Sequence, residues 1–150
     1  MSAGVAGKSL RNMNYGTRVF RAGAVLPATG NQTIFTVTGR CIITSLIGEV
    51  TTVMSATATN LKVTAVGTAS AVATDVTADT AVASLAVGNL YSISGLAATA
   101  AAVGSSVQQN NEIIVPTGII RITTSATNTG AMSWTILYVP LDDGASIVAA

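Results

Sequence analysis

The clearest alternation of apolar and polar positions runs from Gly118 to Gly144, GIIRITTSATNTGAMSWTILYVPLDDG. From Met132 the even positions are Met132, Trp134, Ile136 and Tyr138, with Ser133 and Thr135 between them. A period of two puts one large apolar row on a single face of a strand. Ser125 to Gly130 contains an Asn and a Gly, which tolerate the positive φ of a hairpin loop, so the stretch predicts two strands joined as a β-hairpin. Pro140 ends the second strand, because it has no N–H to give to a ladder. The only Trp of the chain lies here, and Trp134 and Tyr138 are expected core anchors.

The same reading extends along the chain. Gln32 to Thr38 predicts a strand with Phe35 and Val37 on one face and Ile34 on the other. Arg40 to Val53 predicts a long strand with Gly48 as a bulge or bend. Its apolar pairs Ile42-Ile43 and Leu46-Ile47 break the alternation, as expected for a strand covered on both faces. Asn60 to Val66 alternates Leu61, Val63 and Ala65 against Lys62 and Thr64, with Ala69 to Val76 as a candidate hairpin partner. Asn89 to Gly95 places Tyr91 and Ile93 inward. The Ala-rich Leu96 to Val107 is the one segment where a helix is plausible, and Gln108 to Asn111 follows as a polar loop. Ser146 to Ala150 is an apolar tail, free or docked. Met1 to Ala24 shows little periodicity and reads as an extended arm.

About eight short strands punctuated by Gly, Asn and Pro predict an all-β fold, a β-sandwich or jelly-roll-like barrel. Residues 1–24 are expected as an extended basic N-terminal arm and residues 25–150 as one domain. Phe35, Tyr91, Trp134 and Tyr138 are its expected core anchors.

Composition changes this picture in one respect. Of the 150 residues, 49% are apolar but only 9% are charged, against about 25% in an ordinary soluble domain. A surface so poor in charge is expected to be covered by copies of the chain or by a partner. The charge is also unevenly placed. Lys8, Arg11, Arg18 and Arg21 precede the first acidic residue, so the first 21 residues carry +4, and three bases against six acids leave −3 beyond them. Such an arm suits an acidic protein surface, and these four residues are the candidate partner-binding groups. Nucleic acid is not the expected partner, because four spaced charges with few aromatics between them are a weak signal for it. The mean hydropathy is +0.60, yet Thr80 to Asn111 is broken by Gly88-Asn89, Ser94-Gly95 and Gln108 to Asn111. No membrane span is therefore expected. Nor does the start of the sequence read as a secretory leader.

Candidate chemistry is sparse. There is no His and one Cys, which removes the imidazole-dependent triads, Cys/His zinc sites and any intrachain disulfide. Cys41 sits in the apolar run Cys41-Ile42-Ile43 and is expected as a buried, inert thiol. Asp142-Asp143 are adjacent and are expected to cap a turn with Gly144. Asp75 and Asp79, four apart, lack the third acid that a calcium site would take. Gly4 to Lys8 is too short for a phosphate loop, and Asn31-Gln32-Thr33 matches a glycosylation pattern that only a secreted chain would use. The expectation is no catalytic residues, no metal, no cofactor, no small-molecule substrate and no enzyme activity.

Several segments carry a resemblance. TGRCIITSLIGEVTT (Thr38 to Thr52), Asn89-Leu90-Tyr91 with Ser94-Gly95, Ile114 to Gly118, and SATNTGAMSWTILYVPLDDGA (Ser125 to Ala145) are similar to a pattern in small virion proteins encoded near the capsid genes of tailed bacteriophages. The resemblance spans about Thr38 to Ala145 and leaves the arm uncovered. It implies a structural protein that decorates or cements the capsid, often as a homotrimer at three-fold positions and in contact with the major capsid protein. It implies a place in the virion, at the capsid surface, after assembly in the host cytoplasm. It carries no catalytic residues. Two alternatives stand beside it: a tail, neck or head-fibre component with a host-binding surface, and a carbohydrate-binding β-sandwich. The scarcity of aromatics counts against the second, because sugar faces usually stack on Trp or Tyr.

Overall fold

The computed structural model describes residues 12–93, 101–106 and 112–150. Among these the chain forms β1 (Thr17–Val25), β2 (Gly30–Thr38), β3 (Cys41–Thr52), β4 (Asn60–Gly67), β5 (Ala73–Asp75) and β6 (Thr80–Ala81). It continues as β7 (Leu90–Ser92), β8 (Ala102–Gly104), β9 (Ile113–Val115), β10 (Gly118–Thr124), β11 (Ala131–Pro140) and β12 (Ser146–Ala149). Two antiparallel sheets hold them. Sheet I runs β1-β11-β3-β7-β8, with β9 also on β3; sheet II runs β12-β2-β10-β4-β5, with β6 also on β4. The inner faces enclose one apolar core, and the fold is an all-β sandwich.

The core follows the period of two. Met132, Trp134, Ile136 and Tyr138 of β11 all point inward and are buried, as are Leu61 and Val63 of β4, and Ile120 and Ile122 of β10. Phe35 and Tyr91 are buried with them. Each such side chain removed from water stabilises the fold by about 1.5–3 kcal/mol. Tyr91 and Trp134 meet edge to face, with ring centroids 5.8 Å apart and planes at 74°. Gly48 lies in register between them, pairing with Trp134 on one side and Tyr91 on the other. A Cβ there would stand 2.7 Å from Met132 Cε and 2.9 Å from Trp134 Cζ3. Gly48 is therefore a gap left for the indole, not the expected bulge.

The bulges fall elsewhere. Ser45 pairs with Leu137 and Ile43 with Tyr138, which leaves Thr44 as the extra residue of β3. Cys41 and Ile43 are buried before it, and Leu46, Gly48 and Val50 after it. A phase shift at Thr44 thus brings Ile43 and Leu46, three residues apart, onto the same inward face, while Ile42 and Ile47 turn outward. In β2 the extra residue is Ile34, between the Thr33 and Phe35 pairings. Ile34 and Phe35 are both fully buried for that reason, not on opposite faces.

Three further expectations are corrected. The stretch from Gly118 to Gly144 is not a hairpin: β10 pairs with β2 and β4 in sheet II, while β11 pairs with β1 and β3 in sheet I. Residues 125–130 carry the chain from one sheet to the other, and neither Asn128 nor Gly130 takes a positive φ. The arm does not extend to residue 24, because Thr17–Val25 is a strand of sheet I paired along β11. A strand on a free edge needs no apolar alternation, which is why its sequence looked unstructured. In the Ala-rich segment, Ala102–Gly104 is strand β8 on β7; residues 96–100 and 107 of the plausible helix lie outside the described residues. β5 does fold back on β4 as a hairpin, and the apolar tail is docked as β12 against β2.

Candidate docking face

Polar side chains are used mostly to hold loops and sheets together. Asn128 is buried, and its Oδ1 accepts from the backbone N–H groups of Ser55 at 2.9 Å and Gly130 at 3.0 Å. Its Nδ2 reaches Thr59 Oγ1 at 3.3 Å. The sequence reading treated Asn128 as a turn residue; it is the tie between the β3–β4 and β10–β11 connections. Tyr91 spans the sandwich from β7, its hydroxyl 2.8 Å from Thr77 Oγ1 and donating to Leu61 O at 3.2 Å. Burial pushes its phenol pKa up to about 12.

Asp142 accepts from the Arg40 backbone N–H at 2.7 Å and from its guanidinium Nη2 at 2.6 Å. These bonds hold the Asp142 carboxyl below the usual carboxylate range and raise the Arg40 guanidinium. The Asp142 carbonyl also closes the turn by accepting from Ala145 N–H at 3.0 Å, with Gly144 at φ +77. Cys41 is buried and free, and burial, with Asp142 nearby, raises its thiol pKa.

Among the described residues no three His, Cys, Asp or Glu side chains come together as a metal-binding set. Asp75 is engaged by Lys62 at 3.3 Å, which separates it in role from Asp79. A groove of about 320 Å³ opens between the β4–β5 hairpin and β9. Ala65, Val72, Val76, Ile113 and Val115 line it, with Asp75 as its acid. Among the described residues no helix is long and apolar enough to cross a membrane.

The candidate partner-binding residues do not form one group. Lys8 and Arg11 lie outside the described residues. Arg18 is exposed on β1, 5.3 Å over the Phe20 ring. Arg21 turns inward at the sandwich edge, where its Nε donates to Ala150 O at 3.0 Å and burial lowers its pKa. Arg21 is thereby a strut between β1 and the end of β12 and is not a free contact residue.

What the sequence reading missed is a face. The register of sheet I places Phe20, Leu137, Val139, Ile42, Ile47 and Ile114 on its outward side. Ile114 is 68%, Phe20 50% and Val139 39% exposed, and the other three are half-buried. The signal was present in Ile42-Ile43 and Leu46-Ile47, whose outward members Ile42 and Ile47 are half-buried on either side of Thr44, where Thr44 Oγ1 donates to Tyr15 O at 2.6 Å. The outward side of sheet II carries Thr33, Thr36 and Thr123 with Lys62, Asp75 and Arg121, beside the apolar row Val148, Ile119 and Val66. No protein-family model, curated protein or solved structure matches this chain.

Proposed function

We propose that this chain is a structural virion protein that decorates or cements the capsid of a tailed bacteriophage. It does so by associating with copies of itself and by contacting the major capsid protein. The observation that carries this reading is an apolar outward sheet face on a chain with only 9% charged residues. A monomer free in solution rarely leaves such a face bare. The basic N-terminal segment supports it: Lys8 and Arg11 precede the sandwich, and Arg18 extends the positive charge onto the free edge of sheet I. A catalytic role has no comparable support. The carbohydrate-binding alternative loses its two best stacking groups to the core, because Trp134 and Tyr138 are buried.

The test is binding to expanded capsids that lack the protein, followed by sedimentation of the capsids. Saturable binding and a higher capsid melting temperature are expected. A chain starting at Asn12 keeps β1 whole, and weaker capsid binding by it would assign the contact to the first 11 residues. Absence of binding by the full chain would overturn the reading.

A further inference from the structure

We propose that the outward face of sheet I docks on a second copy of this chain, with Arg18 of each subunit against Glu49 of the other. The inference rests on the self-association in the reading above and names its surface, a two-fold contact in place of the homotrimer that the resemblance implies. Strand pairing sets the geometry. Arg18 lies opposite Leu137 on β1, and Glu49 lies opposite Ser133 on β3. They stand two strands and four residues apart, about 16 Å at ordinary strand spacing and rise. That is too far for one to neutralise the other within a subunit. Between and beside them lie Phe20, Ile47, Leu137, Ile42, Val139 and Ile114.

Among the described residues these are the only two charges that the strand register puts on this face, and neither has an ion-pair partner. Elsewhere Lys62 holds Asp75, and Arg40 holds Asp142. One unpaired base and one unpaired acid at opposite corners of an apolar patch make the patch complementary to itself. A two-fold pairing brings residue i onto j and j onto i, so a single operation satisfies both charges and covers the apolar side chains. An unrelated partner would have to present the mirror arrangement of base and acid, whereas a second copy carries it by construction. With a formal net charge of +1, two copies meet without strong long-range repulsion.

The experiment is the mass of the full chain in solution by light scattering across a dilution series. The series covers wild type, Ile114→Glu, Arg18→Glu, Glu49→Arg, the double reversal, and Thr36→Glu on the sheet II face. Far-UV circular dichroism checks that each variant is folded. A pairing of two chains is expected for wild type and Thr36→Glu. Ile114→Glu should weaken it about tenfold or more, because a charge is then buried without a partner. Each single reversal should weaken it several-fold, and the double reversal should restore it to within about twofold, the sign of direct coupling. An oligomer, trimer included, that neither Ile114→Glu nor the single reversals alter would overturn this surface and leave the virion reading standing. A wild type that stays monomeric at high concentration would also overturn it, and capsid binding by that monomer would then decide the virion reading separately.

Discussion

The two outward faces of this sandwich are built from strands of similar length and pairing, yet they meet water differently. Sheet II presents more polar groups, Thr33, Thr36, Thr123, Lys62, Asp75 and Arg121, beside the apolar row Val148, Ile119 and Val66; Lys62 pairs with Asp75, and Arg121 donates to Thr64 Oγ1 at 3.1 Å. Sheet I presents aliphatic and aromatic side chains with two charges left unpaired. An antiparallel sandwich needs only one face of each sheet to be apolar in order to fold. The second apolar face of sheet I contributes nothing to the core. The difference between the sheets therefore separates what the chain needs for folding from what it retains for contact.

The comparison can be broken most forcefully through the shared core. Trp134→Ala should cost about 3–5 kcal/mol and Ile122→Ala about 2–5 kcal/mol, although one belongs to sheet I and the other to sheet II. If the sandwich is one cooperative unit, denaturant unfolding followed by circular dichroism shows a single transition for both variants. Separate transitions would mean that the sheets are independent bodies. Next in size is Asn128→Ala, which strips the partner from two buried backbone N–H groups. A loss of about 1–3 kcal/mol is expected in the same measurement.

Tyr91→Phe removes the hydroxyl that crosses between the sheets and should cost about 1 kcal/mol. In wild type, ultraviolet titration should find this phenol ionising near the value of about 12. Its folded pKa lies above the ordinary tyrosine value. The associated stability is thus complete below the unfolded pKa and is lost as pH rises through the folded one. The Arg40–Asp142 pair has the opposite sign. Asp142 is held below its ordinary range, so the pair favours the folded state at neutral pH and that contribution disappears as pH falls through the folded pKa. Asp142→Asn should flatten this acid limb in melting temperatures measured across pH. The smallest effect is expected at the outward faces: Thr36→Glu on sheet II should change monomer stability by no more than about 0.5 kcal/mol.

Much of the fold was legible because inward positions repeat every second residue. Met132 through Tyr138, Leu61 with Val63, and Tyr91 with Ile93 declare both strand and buried face without reference to any partner. What the residues could not declare was which strand lies beside which. Ser125 to Gly130 has the composition of a hairpin loop, yet the chain there changes sheets, because pairing is decided by residues far away in sequence. The extra residues Ile34 and Thr44 were hidden for the same reason, since a bulge exists only relative to a neighbour. Gly48 looked like a bend, because nothing local reveals the Trp134 ring that fills its space. β1 was misread as arm: an edge strand with no fully buried side chain among Thr17 to Val25 carries no apolar signature. The candidate face was half visible, in apolar pairs whose outward members were read as covered.

The order in which the strands appear along the chain has a consequence for its making. β11 lies between β1 and β3, and β10 between β2 and β4. In each sheet a strand that joins two others is therefore synthesised after both of its neighbours. At about 5–20 residues per second, β1 to β4 must wait several seconds to tens of seconds for the strands that join them. Sheet II cannot join until residue 124 has left the ribosome, nor sheet I until residue 140. The nascent chain holds four strands with open edges, which are ready templates for wrong pairing. Faithful production should then depend on chaperone cover during translation, and slower elongation should raise the share of chain lost to aggregates.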